Sequence, residues 1–104
     1  EGPLRNQAQK PDVAAPGAMI ASTMSSAAGF DRSMMINSKF VMMAGTSMAC
    51  PFITGVVALM LQRDPSLAPE KAKEMLRSNS YIPEQPQNTF DPKWGFGLIN
   101  TENL

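Results

Sequence analysis

The chain has 104 residues with nine basic and nine acidic side chains, a formal net charge of zero and no histidine. Without a positive stripe to displace counterions, nucleic-acid binding is disfavoured. The missing histidine excludes His-based zinc and haem sites and any self-contained Ser-His or Cys-His dyad, so acid–base chemistry must use carboxylates, Lys, Tyr or a histidine from elsewhere.

The length suits one small domain or a piece of a larger one. A single cysteine, Cys50, excludes an internal disulfide framework. The nine methionines read as flexible core filler before they read as a copper site or binding groove. No basic-then-apolar leader follows Glu1.

In chain order, residues 1–11 read as an extended lead-in. Asp12–Ala15 reads as a short strand closed by the Pro16-Gly17 turn signal, and Met19–Ser22 as another extended piece. Residues 23–38 are rich in Ser, Ala and Gly, with Gly29 and Asn37 as breakers, and are expected to form a surface loop. Between Lys39 and Arg63 there is no charge. A membrane span needs about 20 mostly apolar residues. Gly45, Thr46, Ser47, Pro51, Thr54 and Gly55 interrupt the run, and only Val56 to Leu61 is uniformly apolar. The pattern therefore predicts a strand over Lys39–Met43, a Gly-Thr-Ser turn, and a buried helix over about residues 47–62 that stops at Asp64-Pro65.

A second helix is predicted from Pro69, a favoured first-turn residue, with Glu70 suited to the positive helix end. Ala72, Met75 and Leu76 form its apolar stripe, and Lys71, Lys73, Glu74 and Arg77 its solvated face. Residues 79–93, with Pro83, Pro86 and Pro92, read as a loop. Residues 94–100 read as a short strand with glycines at 95 and 97 where backbones approach closely, and Asn100 as a cap. No internal repeat is visible.

The sharpest local feature is Gly45-Thr46-Ser47-Met48-Ala49, at the junction of strand and helix. A serine there has its Oγ at a first turn whose N–H groups lack intrahelical partners, and the helix dipole favours negative charge developing on a nearby oxygen. Gly45 leaves room for a substrate backbone. On spacing alone, Ser47 is more often simply an N-cap. The Gly-x-Ser-x-Gly elbow is not matched, because Ala49 stands at the last position.

Four blocks occur in order: Lys10-Pro11-Asp12-Val13-Ala14-Ala15-Pro16-Gly17, Gly45-Thr46-Ser47-Met48-Ala49-Cys50-Pro51, Gly55-Val56-Val57-Ala58-Leu59-Met60 and Gly95-Phe96-Gly97-Leu98-Ile99-Asn100. Together they resemble the C-terminal portion of a subtilisin-like serine protease, a member of the subtilase family. The resemblance spans nearly the whole chain. It implies an α/β fold, in which residues 1–104 form the C-terminal part of one three-layer peptidase domain. A parallel sheet would carry helices on both faces, with the nucleophile helix buried at its centre.

The resemblance further implies that Ser47 is the nucleophile and its backbone N–H an oxyanion donor, with the Thr46 hydroxyl as an auxiliary. The family's catalytic Asp and His, and its Asn oxyanion donor, lie upstream of the matched segment; neither Asn6 nor Asn37 matches the Asn motif. Asp12 matches a structural position. On this basis the chain supplies the nucleophile of a serine endopeptidase and is inactive alone. A Ser-Lys substitute would require Lys39 or another lysine in a desolvated site, and no lysine lies in an apolar stretch. Ser-Glu-Asp carboxyl proteases share Gly-Thr-Ser, but Met48-Ala49 and the Asp12 block fit the subtilisin branch better.

The chain departs from the family at Ala44, often Asn there, and at Phe52, often His; the second change reads as packing. The loop over 23–38 is longer than in compact relatives. Cys50 reads as a small buried hydrophobe. Family members often bind calcium, but no cofactor or metal site is assignable in this chain. Expected partners are a peptide or protein substrate, and the remainder of the protease domain or a second copy of this chain, with no nucleic acid or membrane. A secreted or cell-envelope location follows from the resemblance alone. The rival reading is a non-catalytic, self-associating interaction module or pseudo-enzyme remnant.

Overall fold

A computed structural model describes residues 1–104, which divide into two compact units: Pro16–Phe52, and Glu1–Ala15 with Ile53–Leu104. The element order is strand β1 (Ile20–Thr23), a 3-10 turn (Arg32–Met34), β2 (Phe40–Met43), helix α1 (Thr46–Arg63), helix α2 (Pro69–Ser78), β3 (Ser80–Tyr81) and β4 (Leu98–Ile99). No helix is long and apolar enough to cross a membrane.

In the first unit, β1 and β2 pair antiparallel, with Ile20 opposite Met43 and Thr23 opposite Phe40. Val41 is its buried side chain. The expected loop over 23–38 is more ordered than its composition suggests. The Met24 N–H donates to the Lys39 carbonyl at 2.7 Å, and Met35 bridges to Val41. Two short polar side chains close its turns. Asp31 Oδ1 accepts from the Ser33 N–H at 2.9 Å, and Asn37 Oδ1 accepts from the N–H groups of Lys39 and Phe40 at 2.8 and 3.0 Å.

The second unit is built around Met60, Ala72, Leu76 and Ile99, with Val13, Ile53, Val56, Val57 and Met75 packed against them. α2 starts at Pro69 as the sequence predicts, and Ala72 and Leu76 are its buried positions. Its C-terminal carbonyls are capped from outside the helix. The Ser80 hydroxyl donates to the Leu76 carbonyl at 2.7 Å, and the Asn79 side chain to that of Met75 at 2.8 Å. Ser80 is almost fully buried by this arrangement. It also opens β3, a two-residue strand paired antiparallel with β4 inside the stretch read as loop. The predicted strand over 94–100 is confined to Leu98–Ile99, because residues 91–95 close a tight turn through reciprocal Asp91–Gly95 backbone hydrogen bonds. Gly95 passes the Pro11–Asp12 backbone and Gly97 that of Tyr81, the close approaches expected there.

Within this chain both two-stranded sheets are antiparallel, and the parallel pairing that the resemblance implies is present as a single bridge between Ala14 and Leu98, flanked by 2.8 and 2.9 Å hydrogen bonds. It involves the expected Asp12–Ala15 strand. One expectation needs correction: α1 is not buried on all sides within this chain. Ile53, Val56, Val57 and Met60, at helical spacing, face the core, while Phe52, Leu59 and Leu61 are exposed, Leu59 by 68%. The part of α1 from Ile53 onward packs on the core of the second unit through its core-facing side.

Arg77 also departs from the solvated face predicted for it. Its guanidinium donates to Asp12 Oδ1 and lies 5.4 Å from the centre of the Phe96 ring. Lys10 Nζ donates to Asp12 Oδ2 at 2.6 Å, and the Asp12 carbonyl accepts from the Phe96 N–H at 2.8 Å. Partial burial acts to raise the Asp12 pKa, but the hydrogen bonds from Lys10 and Arg77, with their charges, hold it below its ordinary 3.8. Because the folded-state value is lowered, this contribution to stability is complete above the unfolded-state value and is lost as pH falls through the folded one. Asp12→Asn in the complete protein is therefore expected to cost about 1–2 kcal/mol at neutral pH. Urea unfolding from pH 7 to pH 3 should show the variant's deficit shrinking toward acid.

Candidate active site

The turn between β2 and α1 is set by two glycines in the first unit. Gly45 has φ +147°, a conformation that L side chains rarely adopt. Its N–H donates to the Gly17 carbonyl at 2.7 Å, tying the turn to the backbone just before β1. The Gly45 carbonyl then accepts from the N–H groups of Met48 and Ala49 at 3.0 and 3.3 Å, the first hydrogen bonds of α1. Gly45 is thus the residue from which the helix is closed. Thr46 and Ser47 lie inside the helix, with their N–H groups ahead of its first intrahelical bond.

This geometry bears on the choice between a capping and a chemical serine. Ser47 does not occupy the N-cap position, since Gly45 holds it. Thr46 and Ser47 are both exposed, at the positive end of an 18-residue helix whose first turn carries no acidic residue. A hydroxyl and backbone donors together at a helix start suit attack on a carbonyl whose oxygen becomes negative.

The other residues weighed from the sequence are placed as follows. Ala44 is exposed directly before the turn. Lys39 is exposed beside the first residue of β2, which does not provide the desolvated site that a lysine base requires. Phe52 is exposed, so the packing role read for it is not met by this chain, and Cys50 is exposed where a buried small hydrophobe was expected. Asp12 is held by Lys10 and Arg77 in the second unit. Sequence reasoning treated Gly17 only as a turn signal and missed its hydrogen bond to Gly45.

A model of the subtilase family matches residues 1–97. The chain belongs to the subtilase family. It is 37% identical over 106 residues to the serine protease AprX of Bacillus subtilis (strain 168), covering 98% of this chain and 23% of that protein. It is 41% identical over 73 residues to the subtilisin-like protease SBT2.6 of Arabidopsis thaliana, covering 70% of this chain and 9% of the relative. A third relative, the subtilisin-like protease SBT3.7 of Arabidopsis thaliana, is 31% identical over 96% of this chain and 14% of its own length. The subtilase chain described here therefore spans less than a quarter of each of these relatives.

The positive φ at Gly45 makes this turn intolerant of a side chain. Gly45→Ala is expected to cost about 1–3 kcal/mol through backbone strain. Thermal unfolding of the complete protein with and without the substitution measures it.

Proposed function

We propose that this chain supplies the nucleophile segment of a subtilisin-like serine endopeptidase, and that Ser47 is the nucleophile. The observation that carries the reading is the start of α1. The Gly45 carbonyl closes the first turn ahead of Ser47, leaving Ser47 an exposed residue whose N–H precedes the first intrahelical hydrogen bond. The matched family and the proteases it contains support the same reaction class.

In the proposed reaction, Ser47 Oγ attacks the carbonyl carbon of a peptide bond while a base outside this chain removes its proton. The carbonyl oxygen becomes negative and is stabilised by the Ser47 N–H and the helix dipole, with the Thr46 hydroxyl assisting. Collapse of this intermediate expels the amine, which takes a proton from the protonated base, and leaves an acyl-enzyme that water then hydrolyses. Because the sequence contains no histidine, a histidine base belongs to another part of the complete domain, and the family resemblance assigns its carboxylate partner and the remaining oxyanion donor there as well.

Residues 1–104 are then the C-terminal part of one α/β domain. The exposed apolar face of α1 is covered by the remainder of that domain, and the parallel Ala14–Leu98 bridge is in keeping with the parallel sheet proposed for it. We assign no metal or cofactor to these residues. The substrate is a peptide or protein, and a secreted or cell-envelope location is in keeping with the family.

Two outcomes follow. The isolated chain hydrolyses no peptide substrate. In the complete protein, Ser47→Ala lowers kcat by at least about 10⁴-fold, because members of a nucleophile–base unit act together. Steady-state peptide hydrolysis measures both; substantial turnover by the isolated chain, or by the Ser47→Ala protein, overturns the reading.

A further inference from the structure

We propose that Gly17 is a positioning residue for Ser47, acting through Gly45 and the first turn of α1. This rests on the reading of Ser47 as nucleophile and adds to it a residue thirty positions upstream that touches none of the reacting atoms.

Two features place Gly17 in this role. Its carbonyl accepts the Gly45 N–H at 2.7 Å, which pins Gly45 at its positive φ of 147°. Its missing side chain also allows the close fit behind the turn. A Cβ on Gly17 would lie 2.8 Å from the Gly45 carbonyl oxygen and 3.2 Å from the Ala49 Cβ. That oxygen is the same one that accepts the first hydrogen bonds of α1, from Met48 and Ala49. Anything that displaces it re-aims the N–H groups of Thr46 and Ser47, since the turn carrying them hangs from Gly45.

The contacts are to backbone and to a methyl group, neither of which can swing aside as a long side chain would. A methyl group at position 17 therefore pushes the Gly45 carbonyl away from its place, and the nucleophile and its donor move with it. A displacement of about 1 Å at a reacting group can cost about 100-fold in rate. Gly17 is not expected to bind substrate, so the loss should appear in kcat and leave KM nearly unchanged.

The test uses the complete protein and compares Gly17→Ala, Ala49→Ser and Ser47→Ala in steady-state peptide hydrolysis, with active-site titration and thermal unfolding of each. Gly17→Ala is expected to lower kcat per titrated site by roughly 10- to 100-fold, with KM within about twofold. Ala49→Ser adds one atom to the opposite wall of the same contact and is expected to lower kcat in the same direction by a smaller factor. This second variant decides the matter if Gly17→Ala fails to fold. A kcat per site within about twofold of the parent in Gly17→Ala, or in Ala49→Ser where only that variant folds, while Ser47→Ala is inert, overturns the positioning role and leaves the nucleophile reading standing. A Ser47→Ala protein that still hydrolyses peptide overturns both.

Discussion

The hydrogen bond from the Gly45 N–H to the Gly17 carbonyl, 2.7 Å long, is the constraint on which the candidate site depends. It holds a residue at φ +147° and fixes the carbonyl from which α1 is closed. A helix begun by a serine cap would spend that serine's oxygen on its own N–H groups. Here backbone alone starts the helix, so the hydroxyl of the second helical residue is not committed to capping. The nucleophile role proposed for Ser47 therefore depends on the arrangement of two glycines.

Stability of the second unit is organised on a different principle. Its buried core is small, and polar groups complete it: Asp12 between Lys10 and Arg77, and Ser80 on the last turn of α2. Of these contacts, the Arg77–Asp12 pair ties together segments 65 positions apart, which a domain with few buried side chains needs more than a large one. The same scarcity explains the apolar side of α1 that remains exposed. Phe52, Leu59 and Leu61 belong to a helix apolar on more than one side, as a helix packed within a larger domain would be.

Much of this was legible in the sequence because local chemistry determines it. The uncharged run from Phe40 to Gln62 with Gly45 inside it reads as strand, turn and helix, and β2 and α1 lie there within about one residue. Pro69 and the Ala72-Met75-Leu76 stripe locate α2. Ser47 and Thr46 stand out because a strand-to-helix junction of small polar residues is unusual in an otherwise apolar run. What escaped was non-local. β3 is only two residues long and lies among prolines, so its pairing depends on β4 and not on its own pattern. Arg77 reads as one more solvent charge until Asp12 is seen to meet it across 65 positions. Gly17 looks like a turn residue because its partner, Gly45, lies beyond the β1–β2 hairpin. The burial assigned to α1 was an inference from composition, and composition does not say which residues cover a helix.

The central claim is that Ser47 carries the nucleophilic hydroxyl of this subtilase segment. The most direct measurement is to treat the complete protein with a fluorophosphonate serine reagent and locate the covalent adduct by peptide mass spectrometry. The account predicts one stoichiometric adduct, on the peptide containing Ser47, forming as activity is lost. Loss of activity with the adduct on a different residue, and Ser47 unmodified, would contradict it.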